Sequence, residues 1–412
     1  MSKLQPARGT RDIFGDEARS MTAVVETFRK VATTYGFEEM ATPIFEFTEV
    51  FKRPLGEASD VVSKEMYTFE DRGGEEITLR PEFTAGVCRA FISNGLQQHL
   101  PCRLMSWGPV FRYERPQKGR YRQFHQINAE LLGPETPEFD VDMIALAWSL
   151  LKALGLGDKV VLNLNTLGDI ESRMAYRDAL VSYFEGFKDK LSEDSVRRLT
   201  TNPLRILDSK DEGDKLLVAN APLLSEHLND HSRQFFETVC KGLDAVGVPY
   251  EHNERLVRGL DYYTHTAFEF ITTELGAQGT VLAGGRYDGL IEKLGGPKVA
   301  GIGWAGGIER LAMLSNIVTD AERSIVLVPM GEAGTLKAFT VADDLRTAGH
   351  VVTADRSGNL GKRLTRAAKA NARYAIIIGD DDVAAGTAML KDLDSGEQSS
   401  VAFDALVAAV KA

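Results

Sequence analysis

The chain has 412 residues, of which 43% are hydrophobic and 26% charged, a composition typical of a globular protein with two or three domains. Its net charge of -11 argues against a protein that coats DNA or RNA through bulk charge, so any nucleic-acid contact must come from a local basic patch. No apolar run could span a bilayer, residues 1–11 lack the apolar core of a signal peptide, and three cysteines without metal-ligand spacing predict reduced thiols in a cytoplasmic protein.

The first predicted element is a long amphipathic helix. Apolar residues recur at helical spacing from Met21 to Tyr35, and Gly36 is suited to end the helix. An extended segment that contains Pro43 follows. The apolar stripe by itself fits either packing within one domain or an interface.

A second predicted helix starts in the stretch Leu79 to Gly86, which reads LRPEFTAG. A strand-like run changes there to a polar pair, Glu82 and Thr84. From the residues alone, an acid and a hydroxyl at a helix start are more often a cap than a ligand.

The stretch Phe111 to Gln126, FRYERPQKGRYRQFHQ, concentrates arginines. Aromatic residues near both ends and a turn rich in Pro and Gly predict two paired strands. Arg112 and Glu114 would share a face of the first strand, with Arg120 and Phe124 returning on the second. Arginine pairs with phosphate oxygens, a carboxylate can accept from the amine of adenine, and an aromatic ring stacks on a base. The pattern favours nucleotide binding over a solvated basic hairpin.

The chain then continues as a strand to Gly133. Gln126 and Glu130 have the same parity and should share a face, whereas His125 points the other way and is interpreted as structural. From about Ser172 to Val246 the sequence is strongly charged without strand alternation, which predicts a helical insertion.

Three glycine-containing stretches follow: Leu256–Phe270 (LVRGLDYYTHTAFEF), Ala283–Leu290 (AGGRYDGL) and Val299–Leu311 (VAGIGWAGGIERL). An Arg-Gly pair is common in surface turns, and glycine pairs are expected in a chain with 38 glycines. Glycine does let a ligand or a second backbone approach closely.

Beyond a short polar linker at residues 319–323, the runs SIVLVPM, VVTADR and YAIIIGD alternate with helical patterns. This βαβαβ order predicts a parallel or mixed sheet covered by helices. A helix predicted over 360–373 carries one basic stripe without an acid, formed by Lys362, Arg366, Lys369 and Arg373. The stripe favours RNA backbone contacts in an acidic chain, although a solvated face would show the same pattern.

In order and spacing, these motifs resemble those of the class II aminoacyl-tRNA synthetases, in the form found in the histidyl-tRNA synthetase family. Phe111–Gln126 resembles motif 2, Val299–Leu311 resembles motif 3, and the Leu256–Phe270 stretch is similar to a histidine-specific signature. The resemblance implies an α+β catalytic domain over residues 1–320, an antiparallel sheet with flanking helices and the helical insertion at about 172–246. A C-terminal α/β anticodon-binding domain would occupy residues 324–412.

The resemblance also implies roles for individual residues. Arg112 and Arg258 would be catalytic and would neutralise the α-phosphate. ATP would be bound by Glu114, Arg120, Phe124 and Arg310. Histidine would be bound by Glu82, Thr84, Gln126, Glu130, Tyr262, Tyr263 and Tyr287. Candidate tRNA contacts are Arg115, Gln117, Lys362, Arg366 and Lys369, and no metal ligand is assigned.

The implied reaction is ATP-dependent ligation of histidine to its tRNA through a histidyl-adenylate. ATP would enter with Mg²⁺, and no prosthetic group is expected. The expected partners are histidine, ATP, histidine tRNA and a second copy of the chain in a homodimer, without membrane or DNA.

Two other interpretations compete with this one. The first is the synthetase-like regulatory subunit of ATP phosphoribosyltransferase, which generally lacks the anticodon domain and has a degraded Arg-Gly-Leu-Asp-Tyr-Tyr signature. The second is a tRNA-independent adenylating ligase, against which the basic stripe of the last domain argues.

Overall fold

The computed structural model describes residues 3–56, 61–115, 119–133, 135–257, 262–276, 279–315, 317 and 322–410. The chain forms two compact units, residues 1–319 and 320–412. Among the described residues, no helix is both long and apolar enough to cross a membrane.

The first unit combines one large sheet, one small sheet and helices. Its strands are β1 (Glu38–Glu39), β2 (Phe45–Phe47), β3 (Tyr67–Glu70), β4 (Glu76–Leu79), β5 (Cys102–Phe111), β6 (Gln123–Gly133), β7 (Val161–Thr166), β8 (Glu251–His252), β9 (Thr264–Ile271), β10 (Thr280–Arg286) and β11 (Ala300–Gly307). Its helices are α1 (Gly15–Thr34), α2 (Glu49–Leu55), α3 (Thr84–Ser93), α4 (Pro137–Ala153), α5 (Ile170–Glu185), α6 (Glu193–Thr201), α7 (Glu212–Val218), α8 (Asp230–Val246), α9 (Leu290–Lys293) and α10 (Ile308–Leu314).

Within the described ranges, the large sheet has the strand order β1-β5-β6-β11-β10-β9-β7-β8. The strands from β5 to β7 in that order pair antiparallel. The short edge strands β1 and β8 pair parallel with their neighbours, so the sheet is mixed at its margins. The predicted α+β architecture around an antiparallel sheet is confirmed.

The two faces of the large sheet differ in polarity. On β6, Ile127, Ala129 and Leu131 are buried in an apolar core that also contains residues of α1, α4, α8 and α10. Because side chains alternate along a strand, the intervening Gln126, Asn128 and Glu130 project from the opposite face. That polar face carries the candidate site.

Helices α5 to α8 follow β7 and precede β8, as the predicted helical insertion required. The start of α5 is tied to α8 by polar side chains, since the Ser172 hydroxyl donates to Ser232 and the Asn229 amide donates to Asp169. Asp214 accepts hydrogen bonds from the hydroxyls of Ser192, Ser195 and Ser209 and so fixes α6 and α7 relative to one another.

The predicted strand pairing in the arginine-rich stretch was partly wrong. β5 ends at Phe111 and β6 begins at Gln123, so Arg112 and Glu114 do not share a strand face. The ladder stops because the Tyr113 N–H donates to Glu65 O at 2.6 Å and the Glu114 N–H donates back to Arg112 O at 2.8 Å. Beyond the ladder, the Arg112 N–H still donates across the hairpin to Arg122 O at 3.0 Å.

The small sheet has the order β2-β4-β3. One face carries Phe45, Phe47 and Phe69, which are 56%, 58% and 48% exposed. The other face carries hydroxyls that hydrogen-bond in a row, Thr48 to Thr78 at 2.9 Å and Thr68 to Thr78 at 2.8 Å. The apolar face of this sheet therefore points outward while its polar face is satisfied within the unit.

The second unit is a five-stranded mixed sheet with helices. Its strands are β12 (Ile325–Pro329), β13 (Val352–Ala354), β14 (Tyr374–Ile378), β15 (Thr387–Asp392) and β16 (Gln398–Ala402), in the order β13-β12-β14-β15-β16. Its helices are α11 (Gly331–Thr347), α12 (Leu360–Lys369), α13 (Asp380–Ala385) and α14 (Leu406–Ala409). The first three strands are parallel, as the predicted βαβαβ order requires.

The basic stripe differs from its prediction in two ways. Helix α12 ends at Lys369, so Arg373 is not part of it. Two of its arginines are also paired with acids, although the pattern predicted a stripe without an acid. Arg366 forms an ion pair with Asp355 at 2.6 Å, and Arg373 forms one with Asp392 at 2.6 Å. Both acids come from other segments of the unit, which a helical pattern cannot reveal.

Candidate active site

A cavity of about 310 Å³ opens on the polar face of the large sheet. Ten of the site residues expected from the sequence line it: Glu82, Thr84, Arg112, Glu114, Arg120, Phe124, Gln126, Tyr262, Tyr263 and Arg310. They come from the start of α3, the hairpin between β5 and β6, the approach to β9 and the start of α10. The fold therefore brings together residues that are far apart in the sequence.

The Glu82 carboxylate lies at the N-terminus of α3. It accepts hydrogen bonds from the backbone N–H groups of Thr84 at 2.7 Å and Ala85 at 2.8 Å. Glu82 is therefore a helix cap, and it also lines the cavity. Burial raises the pKa of its carboxyl above the ordinary value, while the two backbone N–H groups oppose that rise.

Glu130 lies directly behind the cavity wall and is fully buried. Its carboxylate accepts hydrogen bonds from the Thr84 hydroxyl, the Asn128 amide at 2.9 Å and the Tyr287 hydroxyl. A Cβ added to Gly303 on the neighbouring strand would overlap the Glu130 carboxylate. Because residue 303 is glycine and has no side chain, β11 can pass close to the Glu130 carboxylate.

Burial raises the pKa of Glu130 to about 7, although its three hydrogen-bond donors lower it. The Tyr287 ring occupies the space that a Cβ at residue 301 would take, so the ring fits because that residue is glycine. The glycines of β11 thus make room for Tyr287 and Glu130, a packing role that the sequence pattern did not specify.

Gln126 and the tyrosine pair complete this end of the cavity. The Gln126 Oε1 atom is buried and has no hydrogen-bond partner among the described residues. The rings of Tyr262 and Tyr263 are 4.7 Å apart, and Tyr262 also meets the Tyr287 ring edge-on at 5.8 Å. A small polar ligand here would find one unused acceptor beside an aromatic wall.

The other end of the cavity is rich in arginine. Arg112 donates to Pro81 O at 2.9 Å, and its guanidinium lies 5.6 Å from the centroid of the Phe124 ring. Arg120 forms an ion pair with Glu114. Arg310 donates to Thr280 O at 2.6 Å.

These cations act on one another. The pKa of Arg310 is lowered, first by burial and then by the positive charges of Arg120 and Arg112. Like charges held this close repel, and an anionic ligand between them would remove that cost. This end of the cavity is therefore built for an anion.

Some residues at or next to the cavity had no role expected from the sequence. Asn128 donates to Glu130 and has the same parity as Gln126 and Glu130, so strand alternation could have found it. Glu309 lines the cavity and accepts from the His125 N–H at 3.0 Å, and one of its oxygens lies 2.8 Å from the His125 ring Nδ1, which supports a structural role for that histidine. Tyr121 also lines the cavity, and no pattern singled it out.

The remaining expected residues lie elsewhere. Arg258 and Gln117 fall outside the described residues. Arg115 is exposed next to the hairpin. Lys362, Arg366 and Lys369 all lie exposed on α12 in the second unit, and the bond from Arg366 lowers the pKa of Asp355 to about 2.

Comparison with known proteins finds one family over most of the chain. The family model described as Histidyl-tRNA synthetase matches residues 9–311, and the model described as Anticodon binding domain matches residues 324–412. The chain is 58% identical over 401 residues to the histidine–tRNA ligase of Gluconobacter oxydans, covering 97% of both chains. It is 58% identical to the histidine–tRNA ligase of Rhodospirillum rubrum, covering 98% of both. The apo crystal structure of S. aureus histidyl-tRNA synthetase is similar with a TM-score of 0.83, 33% identity and 99% of both chains covered.

The buried Glu130 predicts a specific pH dependence of stability. Its pKa of about 7 in the folded chain lies above the ordinary value of 4.5. The contribution of protonated Glu130 to the free energy of unfolding is therefore fully present below about pH 4.5 and is lost as the pH rises through 7. Glu130→Gln should destabilise the protein at pH 5 by about 1 to 3 kcal/mol, because an amide nitrogen would face hydrogen-bond donors.

That difference should shrink between pH 5 and pH 8, because the wild type alone must ionise a buried carboxyl. Urea unfolding followed by tryptophan fluorescence measures it, since Trp107, Trp148 and Trp304 all lie in the first unit. A difference that stays constant over this pH range would contradict the raised pKa.

Proposed function

The chain belongs to the histidyl-tRNA synthetase family and ligates histidine to tRNA, and from this premise we propose how the described residues divide the work. The arginine-rich end of the cavity binds ATP, and the end with Gln126, Glu130 and the tyrosines binds histidine. The observation that carries this division is how the residues that line one cavity are grouped: Arg112 and Arg120 lie close enough to Arg310 to lower its pKa, whereas Tyr262 packs against Tyr263 and Tyr287.

At the ATP end, Arg112 neutralises the α-phosphate together with Arg258, and Arg120 and Arg310 contact the pyrophosphate that leaves. Phe124 stacks on the adenine ring and Glu114 accepts from its exocyclic amine. Arg120 is paired with Glu114 in the free protein, so phosphate binding exchanges one anionic partner of Arg120 for another. Mg²⁺ enters with ATP as part of the substrate.

At the histidine end, the ammonium group of the substrate donates to Gln126 Oε1, the buried acceptor without a described partner. Glu82 supplies negative charge to the same group. A carboxylate can accept about four hydrogen bonds. Three of the positions on Glu130 are taken by Thr84, Asn128 and Tyr287, which leaves one for an imidazole N–H.

The first chemical step is attack of a histidine carboxylate oxygen on the α-phosphorus of ATP. A bond forms from that oxygen to phosphorus, and the bond to the pyrophosphate oxygen breaks. No side chain needs to act as nucleophile, so the protein contributes by holding the two substrates together and by neutralising charge that grows in the transition state. A hydroxyl oxygen of the terminal ribose of tRNA then bonds to the carbonyl carbon of the adenylate, the bond from that carbon to the phosphate oxygen breaks, and AMP leaves while the hydroxyl proton is released.

The alternative of a regulatory, non-catalytic relative is not favoured. The chain is similar over nearly its whole length to histidine–tRNA ligases, and the anticodon-binding match covers the segment that such subunits generally lack. The cytoplasm is the proposed location, which is supported by the free state of Cys88, Cys102 and Cys240.

Pyrophosphate exchange tests the division of the cavity. The wild type should require both histidine and Mg-ATP, and no other amino acid should replace histidine. Arg112→Gln should lower the exchange rate by about a hundred- to a thousandfold, because it removes one donor to charge that develops in the transition state. Arg103→Gln is the control, since Arg103 lies on β5, which ends just before Arg112, and pairs with Asp142 at 2.9 Å. Equal rates for the two variants would remove Arg112 from the mechanism.

The exposed lysines of α12 are proposed to bind tRNA phosphates. Replacing Lys362 and Lys369 together with Gln should weaken tRNA binding and reduce the slope of log K against log salt by about one for each phosphate that is no longer bound. Adenylate formation should not change. Lys337→Gln with Lys391→Gln is the matched control in the same unit. A similar weakening in both double variants would mean that only the net charge matters.

The outward apolar face of β2 and β3 is proposed to form a homodimer interface with the same face of a second copy. Exposed aromatic residues clustered on one small sheet are typical of such interfaces. Phe47→Asp should weaken dimerisation at least about tenfold by placing a charge in the contact. Phe339→Asp, at a residue that is 55% exposed in the second unit, is the control. Analytical ultracentrifugation across a dilution series measures both, and an unchanged dimer in Phe47→Asp would exclude this face.

A further inference from the structure

A tight turn near the start of the chain packs against the arginine-rich hairpin. In this N-terminal turn, Ala7–Arg11, the Thr10 N–H donates to Ala7 O at 2.9 Å. Gly9 has a φ of +85°, which fits the third position of a type II turn, where glycine is favoured. Residues 3–8 are exposed, whereas Gly9, Thr10 and Arg11 are partly buried. The turn is therefore where the chain first becomes attached to the fold.

The turn is attached through Arg122. The Arg122 N–H donates to Gly9 O at 2.8 Å, and its carbonyl accepts from the Arg112 N–H at 3.0 Å. The Arg122 guanidinium donates to Glu114 O at 3.2 Å and lies 3.8 Å from the centroid of the Tyr113 ring. One residue thus bonds to the N-terminal turn and to both sides of the hairpin.

Arg11 makes a second contact with the hairpin. Its guanidinium lies 4.6 Å from the centroid of the Tyr121 ring, and Tyr121 lines the cavity. Arg11 is itself held by an ion pair with Glu17 in the first turn of α1, and this bond raises the pKa of Arg11. A cation over an aromatic face is attracted by the ring quadrupole. The hairpin is therefore connected to α1 through Arg11.

This outside support matters because, among the described residues, few backbone hydrogen bonds join the two sides of the hairpin beyond its ladder. Its regular ladder stops at Phe111 and Gln123. Beyond that point lie Arg112, Glu114 and Arg120, the residues assigned to ATP. We propose that the N-terminal turn is a positioning element of the nucleotide site, which holds these side chains in the geometry that ATP requires. The proposal rests on the assignment of the arginine-rich end to ATP.

Two variants test the turn separately. In Gly9→Ala, the added methyl would lie 2.7 Å from Arg122 Cγ and 2.8 Å from its Cδ, and the positive φ would be strained. Arg11→Gln removes the cation over Tyr121 but keeps the backbone turn. Both should raise the KM for ATP in pyrophosphate exchange at least about fivefold, within the roughly hundredfold range that a 1 Å displacement can produce. The KM for histidine should stay within about twofold, since Gln126 and Glu130 lie within the β5–β6 ladder and not in the part of the hairpin that the turn contacts.

The chain offers a matched control for each variant. Gly15 also has a positive φ, +64°, but an added Cβ there meets no described atom within 4 Å. Gly15→Ala therefore reproduces the backbone strain without the contact. Arg19 pairs with Asp16 on α1 as Arg11 pairs with Glu17, so Arg19→Gln removes a comparable ion pair. Neither control should change the KM for ATP.

The outcomes separate this inference from the proposed function. Raised KM for ATP in Gly9→Ala and Arg11→Gln, with normal thermal stability and normal controls, supports the positioning role. An equal rise in the KM values for ATP and histidine would mean general loosening of the fold and would overturn it. If Arg120→Gln loses ATP affinity while both turn variants keep it, the inference fails and the proposed function stands. If Arg120→Gln also keeps it, the ATP assignment itself fails.

Discussion

The arrangement of one end of the cavity, the end proposed to bind histidine, depends on burying one carboxylate in the middle of a sheet. Glu130 has no exposed surface, and an isolated charge in such a place would be very costly. Its oxygens are satisfied by Thr84 at the start of α3, Asn128 on the same strand and Tyr287 after β10. The carboxylate therefore holds the start of α3, the strand β6 and the segment after β10 close together.

The same carboxylate determines where glycine is needed. β11 passes next to Glu130 and Tyr287, and side chains at Gly303 and Gly301 would occupy the space of those two groups. Alternation then leaves Ile302 and Trp304 on the other face, where both are buried in the apolar core. The alternation of side chains along β11 therefore places the polar site on one face of the sheet and the apolar core on the other.

At the end of the cavity proposed to bind ATP, three arginines are held close together. Arg112, Arg120 and Arg310 approach one another around a cavity, and carbonyl oxygens and Glu114 hold them in place. Such a group of cations would attract a polyphosphate, whose charge would remove their mutual repulsion. Arg112, Glu114 and Arg120 lie beyond the end of the hairpin ladder, so contacts with other parts of the chain help to hold them.

The sequence alone determined the order of elements, the two-unit pattern of strands and helices and ten of the residues that line the cavity. It could do so because strand parity and helical periodicity are local, and because the motifs occur in a characteristic order. Parity placed Gln126 and Glu130 on one face and His125 on the other. The end of the hairpin ladder, the acid partner of Arg366 and the early stop of α12 were decided only by the tertiary structure. Each depends on contacts between residues distant in sequence, such as Tyr113 with Glu65, or on backbone hydrogen bonds that no side-chain pattern encodes.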